Sequence, residues 1–184
     1  MLLVQFAICA NSQTFELTPT GFVDSENPQN SYVVVTFEGK TQQEIFNLAL
    51  SALGKSFVSP DDRISKVEYS QINLNGIMSD ITFINRIGLH LYFDMFYNLI
   101  FEFKDGKMKI NGPIINDIFR KAPDGIQHIY LTTAERGAAL LGDLALFKKN
   151  GQVNEKKHKK NIETEVNVFV ANIINLMNAK DSEW

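Results

Sequence analysis

The chain has 184 residues, 45% of them hydrophobic, and a formal net charge of −3. This length suits one domain with a sizeable core, and the single cysteine, Cys9, excludes an internal disulfide or a multi-cysteine zinc site. The negative charge argues against a general attraction to nucleic acid or anionic membrane, and no apolar run is long enough to span a bilayer.

Residues 1–12 are predicted to be a truncated secretory signal that lacks its basic start. Residues 2–10 are almost wholly apolar, and Ala10 and Ser12 place small side chains at the positions that a cleavage site requires. The alternative is a buried first strand or helix. The signal interpretation implies that the mature protein is secreted or periplasmic and that Cys9 is removed.

A loop, a strand and a helix are expected next. Residues 18–31 are rich in Pro, Asn, Ser and Asp and predict a loop, and β-branched and aromatic residues predict a strand over 32–39. Thr41 and Glu44 have the spacing of a capping box, which predicts a helix that ends at Gly54. An apolar stripe at helical spacing should hold this helix on a sheet: Ile45, Leu48, Ala49, Ala52 and Leu53.

The middle of the chain has the pattern of a sheet. After a turn at residues 59–62, the segments 64–70 and 72–79 predict two neighbouring strands. Every odd-numbered residue from Leu89 to Phe103 is apolar, which predicts a strand with one buried face. Because this run exceeds the usual length of a strand, we expect it to bend or divide near Asp94.

Asp105-Gly106 interrupts this alternation and suits a two-residue type I′ turn. The resulting register places apolar pairs on one face and two lysines opposite each other: Phe103 with Met108, Phe101 with Ile110, and Lys104 with Lys107. Like charges in that position are mildly unfavourable, and we expect Glu102 to relieve the repulsion.

The carboxy-terminal third is predicted to be mainly helical. Residues 114–131 are ambiguous, and their apolar residues fit a short helix: Ile114, Ile115, Ile118 and Phe119. Thr132 and Glu135 form a second capping box before a helix that ends at Gly151, with an apolar stripe of Ala138, Leu141, Leu144 and Ala145. A last helix begins within 154–161 and carries apolar residues three and four apart: Ile162, Val166, Phe169, Ile173 and Leu176.

Three segments together resemble a domain of unknown function with a TATA-binding-protein-like (TBP-like) fold, found in secreted proteins of Bacteroidetes. They are SYVVVTFEGKTQQEIFNLALSALGKSF, VEYSQINLNGI and LIFEFKDGKMKI, and the similarity covers roughly residues 31–120. The resemblance implies export and a β-α-β-β-β-β-α arrangement, in which helices back a curved antiparallel sheet. It brings no catalytic residues, and the name of the fold does not imply DNA binding.

We therefore expect an α+β fold, with a TBP-like domain at 13–122 and a C-terminal helical extension at 123–184 packed on the same domain. The even-numbered side of the long strand is the candidate binding face, because it is more apolar than a solvated face: Tyr92, Phe96 and Ile100, with His90 and Asp94. Either this face binds a partner or the later helices cover it. His90 and Asp94 lie about 13 Å apart at strand rise, too far for a direct hydrogen bond.

Other motifs point to no chemistry. GKT at 39–41 is not a phosphate loop, because residue 34 is Val where that loop requires Gly. No G-x-S-x-G motif and no calcium-loop spacing occur, so we predict no catalytic, metal or cofactor site. The basic run 156–160 lacks the interleaved aromatic residues that stack on bases, and it is predicted to be a solvated linker.

The expected function is a non-enzymatic, exported binding module that uses this sheet face or a sheet edge. Its partner would be a protein, a peptide, a small molecule or a second copy of the chain, and not nucleic acid. One alternative is an extracytoplasmic enzyme acting on glycan or peptide, with acids drawn from Asp94, Glu102 and loop positions; two carboxylates about 5–10 Å apart in one deep pocket would favour it. Another is a structural subunit that pairs through the last helix.

Overall fold

The structure is a computed structural model that describes residues 14–57, 63–123, 125–135 and 144–179. These residues form ten strands and two helices: β1 (Phe15–Thr18), β2 (Gly21–Asp24), β3 (Tyr32–Thr36), α1 (Gln42–Ser56), β4 (Ile64–Val67), β5 (Gln71–Arg86), β6 (Leu89–Lys104), β7 (Lys107–Asn111), β8 (Ile114–Ala122), β9 (Gly125–Thr132), β10 (Leu144–Phe147) and α2 (Lys156–Asn178). The predicted signal at 1–12 and the predicted turn at 59–62 lie outside the described residues.

One large sheet is built around the long strand β6. Its strands follow the order β10-β9-β8-β6-β5-β4, and β7 pairs with the last part of β6 and carries β3 on its other side. Neighbours are antiparallel except β9 and β10, which are parallel. The predicted α+β fold, an antiparallel sheet backed by helices, is confirmed.

Both described helices pack on one side of this sheet, which we call the inner face. The odd-numbered residues of β6 from Phe93 to Phe103 point to it and are buried. On α1, the Phe46 ring meets the Phe103 ring edge-on at 5.3 Å, and on α2 the Phe169 ring meets Tyr97 at 5.8 Å. The predicted alternation is therefore confirmed for the part of β6 that lies under the helices.

The first residues of β6 depart from the predicted pattern. Leu89 is 66% exposed although it occupies an odd-numbered position. Leu89 follows the turn between β5 and β6, where Ile87 is also exposed. Periodicity alone specifies a face of the strand, and burial also requires an element packed on that face.

A bend or a division of β6 near Asp94 was expected from its length, and the strand does not divide there. Irregularities lie in its two partners. The register of β8 shifts opposite Phe96 and Tyr97, and that of β5 shifts between Met78 and Thr82. Within this bulge Asp80 has a φ of 56°, and its N–H donates to the Asp94 carboxylate at 3.0 Å. A bulge increases local twist and bends the strand that carries it. Here β5 carries this bulge, and β6 runs on without interruption.

The hairpin between β6 and β7 has the predicted register, but its turn differs from type I′. All three predicted pairs across Asp105-Gly106 are present. A type I′ turn needs positive φ at both central residues, and only Gly106 has it, at 72°. The Asp105 carboxylate accepts from the Gln42 N–H at 2.8 Å, and the Gly106 N–H donates to the Lys40 carbonyl. These contacts with the start of α1 are tertiary, so the hairpin sequence does not contain them.

The helix α1 begins as predicted and ends later. The Thr41 hydroxyl accepts from the Glu44 N–H at 3.3 Å, and the Thr41 N–H donates to the Glu44 carboxylate at 2.7 Å. Hydrogen bonds from Thr41 also lower the pKa of Glu44. Gly54 does not end the helix, which continues to Ser56. The predicted stripe is buried except for Leu48, which is half-buried, and Phe46 joins it.

The loop predicted at 18–31 is partly wrong, because it contains β2, which pairs with β1. Side chains of α2 satisfy the free edge of β1. The Phe15 N–H donates to the Asn167 side-chain oxygen at 2.7 Å, and the Asn167 amide donates to the Phe15 carbonyl at 2.9 Å. The Leu17 N–H donates to the Glu163 carboxylate at 2.8 Å. Part of the support for β1 thus comes from a helix about 150 residues away, which the local sequence cannot indicate.

The predicted helix after Thr132 is wrong in its described part, since residues 144–147 form β10; residues 136–143 lie outside the described ranges. The ambiguous segment before it, which fitted a short helix, forms β8 and most of β9. The capping-box spacing is represented by one hydrogen bond, from the Glu135 N–H to the Thr132 hydroxyl at 3.4 Å. Pairing of β10 with β9 prevails and buries Leu146 and Phe147. The segment 123–184 is therefore not a helical extension throughout, since β9 and β10 belong to the main sheet.

The last helix begins within the predicted range, at Lys156, so the basic run is its first turn and not a solvated linker. The Lys159 ammonium contacts Glu163 and, at 3.3 Å, Glu16. Of the predicted stripe, Ile162, Val166 and Ile173 are buried, Phe169 is half-buried and Leu176 is exposed. The buried side also includes His158, Val170 and Met177. This stripe packs within its own chain. No helix in the described ranges has the length and apolar character needed to cross a bilayer.

The buried His158 predicts a dependence of stability on pH. The His158 ring is 7% exposed, its Nδ1 lies 3.0 Å from the Thr82 hydroxyl, and burial lowers its pKa. The unfolded chain, with a histidine pKa of about 6.5, then binds the proton more readily than the folded one. The contribution of the neutral His158 ring to folding stability is therefore complete above about pH 6.5. It is lost as the pH falls through the pKa of His158 in the folded protein, at no more than about 1.4 kcal/mol per pH unit.

We expect His158→Gln to weaken the loss of stability between neutral pH and mildly acidic pH. Urea denaturation across that interval measures it. The wild type, measured in the same buffers, is the reference. An unchanged profile in His158→Gln would refute the role assigned to this ring.

Candidate binding face

The side of the sheet opposite the helices, which we call the outer face, carries all five predicted site residues. Tyr92 is 47% exposed and Phe96 41%, His90 is also exposed, and Asp94 and Ile100 are half-buried. The expectation that later helices cover this face is wrong for the described residues, because α1 and α2 both pack on the inner face. The odd-numbered face offers them a continuous wall of buried side chains, and it is there that their apolar stripes pair.

An aromatic cluster forms one end of the outer face. The His90 ring stacks on Phe83 with centroids 4.5 Å apart, and its Nδ1 lies 3.4 Å from the Tyr92 hydroxyl. The Lys157 ammonium lies 4.0 Å from the centre of the Phe83 ring. His90 is therefore packed among aromatic rings, whereas Asp94 accepts from the Asp80 N–H. The two residues have different partners and form no acid–base pair.

A shallow pocket of about 410 Å³ adjoins this cluster. Its lining combines apolar side chains with acids and bases: Ile77, Asp80, His90, Leu91, Tyr92, Asp94, Phe119, Arg120 and Lys121. Apolar and charged side chains are thus mixed in this lining, and its larger part is polar. Three of the five predicted site residues thus line one depression, and a fourth, Phe96, lies beside it because it pairs with Ile77 across the strands.

Several residues of this face were missed in the sequence. Ile77 lies directly opposite Phe96, and it is exposed to a similar degree, 48%. Ile114 and Ile126, on β8 and β9, are exposed as well. The register of the two central strands would have identified Ile77, but β8 was expected to be helical, so Ile114 was not assigned to a sheet. Beside Phe96, the Asn98 amide donates to Asn73 at 2.6 Å and to Asn75 at 2.9 Å.

The two acids named for the enzyme alternative lie in different places. Glu102 borders a second pocket and accepts from Lys109 and Asn111, each at 2.9 Å, and these hydrogen bonds lower its pKa. Asp94 is eight positions earlier on the same strand, about 26 Å away at strand rise. This distance far exceeds the spacing of paired catalytic carboxylates. Among the described residues, no three side chains of the metal-binding types converge.

The fold is TBP-like: a mostly antiparallel sheet with helices on one side. Residues 32–113 match the family model described as a domain of unknown function (DUF4468) with TBP-like fold. This match confirms the resemblance predicted from the sequence. The matched range runs from β3 through β7 and includes the whole of β6, with every residue of the predicted face.

Two solved structures share this fold. A TBP-like protein from Parabacteroides distasonis ATCC 8503 has a TM-score of 0.52 and 16% identity, over 81% of this chain and 92% of that one. A DUF4468 family protein from Bacteroides ovatus ATCC 8483 has a TM-score of 0.54 and 14% identity, over 83% of this chain and 88% of that one. At such identities the likeness concerns the fold alone. No curated protein matches the chain.

Proposed function

We propose that the protein is a non-enzymatic binding module that acts outside the cytoplasm and holds a protein or peptide on its outer face, around Tyr92, Phe96 and Ile100. The observation that carries this proposal is the exposure of two aromatic rings on a sheet face that neither α1 nor α2 covers. Exposed apolar clusters on a folded domain are typical of binding surfaces.

The distribution of the apolar side chains supports a protein or peptide partner. Phe96 and Ile77 lie side by side on β6 and β5, and Ile114 extends the apolar surface to β8. A small molecule is usually enclosed in a concave pocket, whereas side chains spread over neighbouring strands suit a broad contact. Aromatic residues at the centre of such a contact commonly supply most of its binding energy.

Export is part of the proposal and rests on two features of the sequence. Residues 2–10 have the apolar character of a signal segment, and Ala10 and Ser12 fit a cleavage site after residue 12. The family resemblance is to proteins that are secreted. A partner in the cell envelope or outside the cell is therefore proposed.

The test compares the wild type with the Tyr92→Ser/Phe96→Ser double variant. Each protein is used to capture a partner from the cell-envelope fraction of the native host. We expect the variant to lose at least about tenfold of the captured partner, since removal of one central aromatic residue costs about 2 kcal/mol or more. Light scattering at rising concentration shows in parallel whether the partner is a second copy of the chain.

The matched control is Val168→Ser/Leu176→Ser, which removes two exposed apolar side chains from α2. It should capture the same partner as the wild type. Two results would refute the proposal: a face variant that captures as much as the control, or a face variant that is unfolded, since unfolding would place Tyr92 and Phe96 in the core.

A further inference from the structure

A second pocket, of about 300 Å³, lies at the hairpin end of the outer face and is rich in lysine. Its lining comes from β3, β6 and β7: Tyr32, Val34, Glu102, Lys104, Lys107 and Lys109. The strand register creates this concentration, because Lys107 lies opposite Lys104 and Lys109 lies opposite Glu102. The intervening residue, Met108, is buried on the inner face, so the charged side chains all point to the outer one.

The charges in this pocket are not balanced. The Lys109 ammonium pairs with the Glu102 carboxylate at 2.9 Å and lies 4.8 Å from the centre of the Tyr32 ring. The nearby Asp105 carboxylate accepts from the N–H of Gln42 at the start of α1. In the described part of the chain, no carboxylate forms an ion pair with Lys104 or Lys107.

The lining alone, with three lysines and one glutamate, carries a charge of 3 − 1 = +2, and the Asp105 carboxylate in the adjoining turn leaves +1 locally, in a chain whose net charge is −3. Two ammonium groups directly opposite each other on neighbouring strands repel. An anion placed between them would remove this repulsion and gain two charge-assisted hydrogen bonds. Glu102 offsets part of this repulsion, because its carboxylate interacts electrostatically with Lys104, but its hydrogen bonds come from Asn111 and Lys109.

We propose that this pocket is a binding site for a doubly charged oxyanion, the phosphate monoester group of a ligand, held by the ammonium groups of Lys104 and Lys107. The two positive charges of these lysines match the two negative charges of such a group. Lys109 is positioned beside them by Glu102 and the Tyr32 ring. Backbone geometry supports the arrangement, since the hairpin turn is fixed to the start of α1 by the hydrogen bond from Gly106 to Lys40.

This site is separate from the surface around Tyr92 and Phe96. Lys104 is eight positions beyond Phe96 on β6, about 26 Å at strand rise. Failure of one proposal would leave the other intact, because the two sets of variants share no residue.

The experiment is a titration of the ¹⁵N-labelled protein with inorganic phosphate at mildly alkaline pH, where the ion is dianionic, and at constant ionic strength. We expect saturable shifts confined to the backbone amides of β3, β7 and the end of β6. Lys104→Gln/Lys107→Gln should weaken binding by about tenfold or more. The control, Lys148→Gln/Lys149→Gln, removes the same charge from the turn after β10 and should bind as the wild type does.

Two further probes identify the source of the phosphate monoester. Glycerol 2-phosphate represents a soluble ligand, and vesicles that contain phosphatidic acid represent a lipid headgroup, with phosphatidylcholine vesicles as their control. Binding of either monoester that is lost in Lys104→Gln/Lys107→Gln supports the site. Two results overturn the site. One is a set of chemical-shift changes that do not saturate with added phosphate. The other is an equal loss of binding in Lys104→Gln/Lys107→Gln and in the control Lys148→Gln/Lys149→Gln.

Discussion

Replacement of Phe101 by alanine is expected to lower the free energy of unfolding by about 3–5 kcal/mol, the range for a large-to-small change at a buried phenylalanine. The Phe101 side chain is fully buried on the inner face. Phe96 is the matched control, since it is the same residue type on the same strand and lies on the outer face. Because Phe96 is 41% exposed, Phe96→Ala should cost only about 1 kcal/mol.

Urea denaturation of the two variants measures this difference directly. Both variants replace phenylalanine by alanine on the same strand, so residue type and strand propensity contribute equally to the two losses of stability. The difference between the losses therefore reports which face of the sheet each side chain occupies. Equal losses of stability in Phe101→Ala and Phe96→Ala would contradict the assignment of an inner and an outer face.

The second large effect is expected at Gly76, where a side chain would meet the ring of Tyr97. A Cβ atom at Gly76 would lie 2.7 Å from the Tyr97 hydroxyl oxygen and 2.8 Å from its Cζ. Tyr97 is buried, and burial raises the pKa of its phenol to about 12. Gly76→Val must displace this ring from its place beside Phe169 and should cost about 1–3 kcal/mol.

Gly54→Ala is the contrasting control for Gly76→Val. Gly54 lies within α1, a Cβ atom there would meet nothing within 4 Å, and its φ is not positive. Alanine there should stabilise the helix by about 0.5–1 kcal/mol. Thermal unfolding of both variants tests the pair. A neutral Gly76→Val would show that Tyr97 does not lie over that glycine, and a destabilising Gly54→Ala would show that α1 ends there.

The elements that the sequence predicted correctly are those whose signals are local. The capping box of Thr41 and Glu44 starts α1 at the expected residue. The alternation of β6 and the turn at Asp105-Gly106 specify the hairpin register, since any other register would separate the apolar pairs. In these places propensity and periodicity agree with the final packing, although the turn at Asp105-Gly106 is not of type I′.

The elements that were predicted wrongly are strands that form where the local pattern favours a helix or a loop. The segment after Thr132 carries a helix-like cap and stripe, yet 144–147 form the parallel strand β10 beside β9. The strand β1 is completed by side chains of α2, including Asn167. Local propensity is a weak signal when a sheet edge elsewhere offers backbone partners and a place to bury Phe147.

The candidate face was predictable only in part. Period two along β6 groups Tyr92, Phe96 and Ile100 on one side, and this grouping follows from the sequence alone. Both sides of the strand are apolar, however, so the position of the helices decides which side is covered. The lysine pocket needed the pairing of β3 with β7, which brings Tyr32 and Val34 to Lys109 across a gap of more than 70 residues.

Nitration of the folded protein by tetranitromethane, mapped by mass spectrometry of its peptides, tests the orientation of β6 with two residues that the chain already contains. Tyr92 is 47% exposed on the outer face, and Tyr97 is 1% exposed beneath α2. We predict that Tyr92 is modified in the native state and that Tyr97 is modified only after unfolding. Modification of native Tyr97, with Tyr92 protected in the monomer, would contradict the structure on which both binding proposals rest.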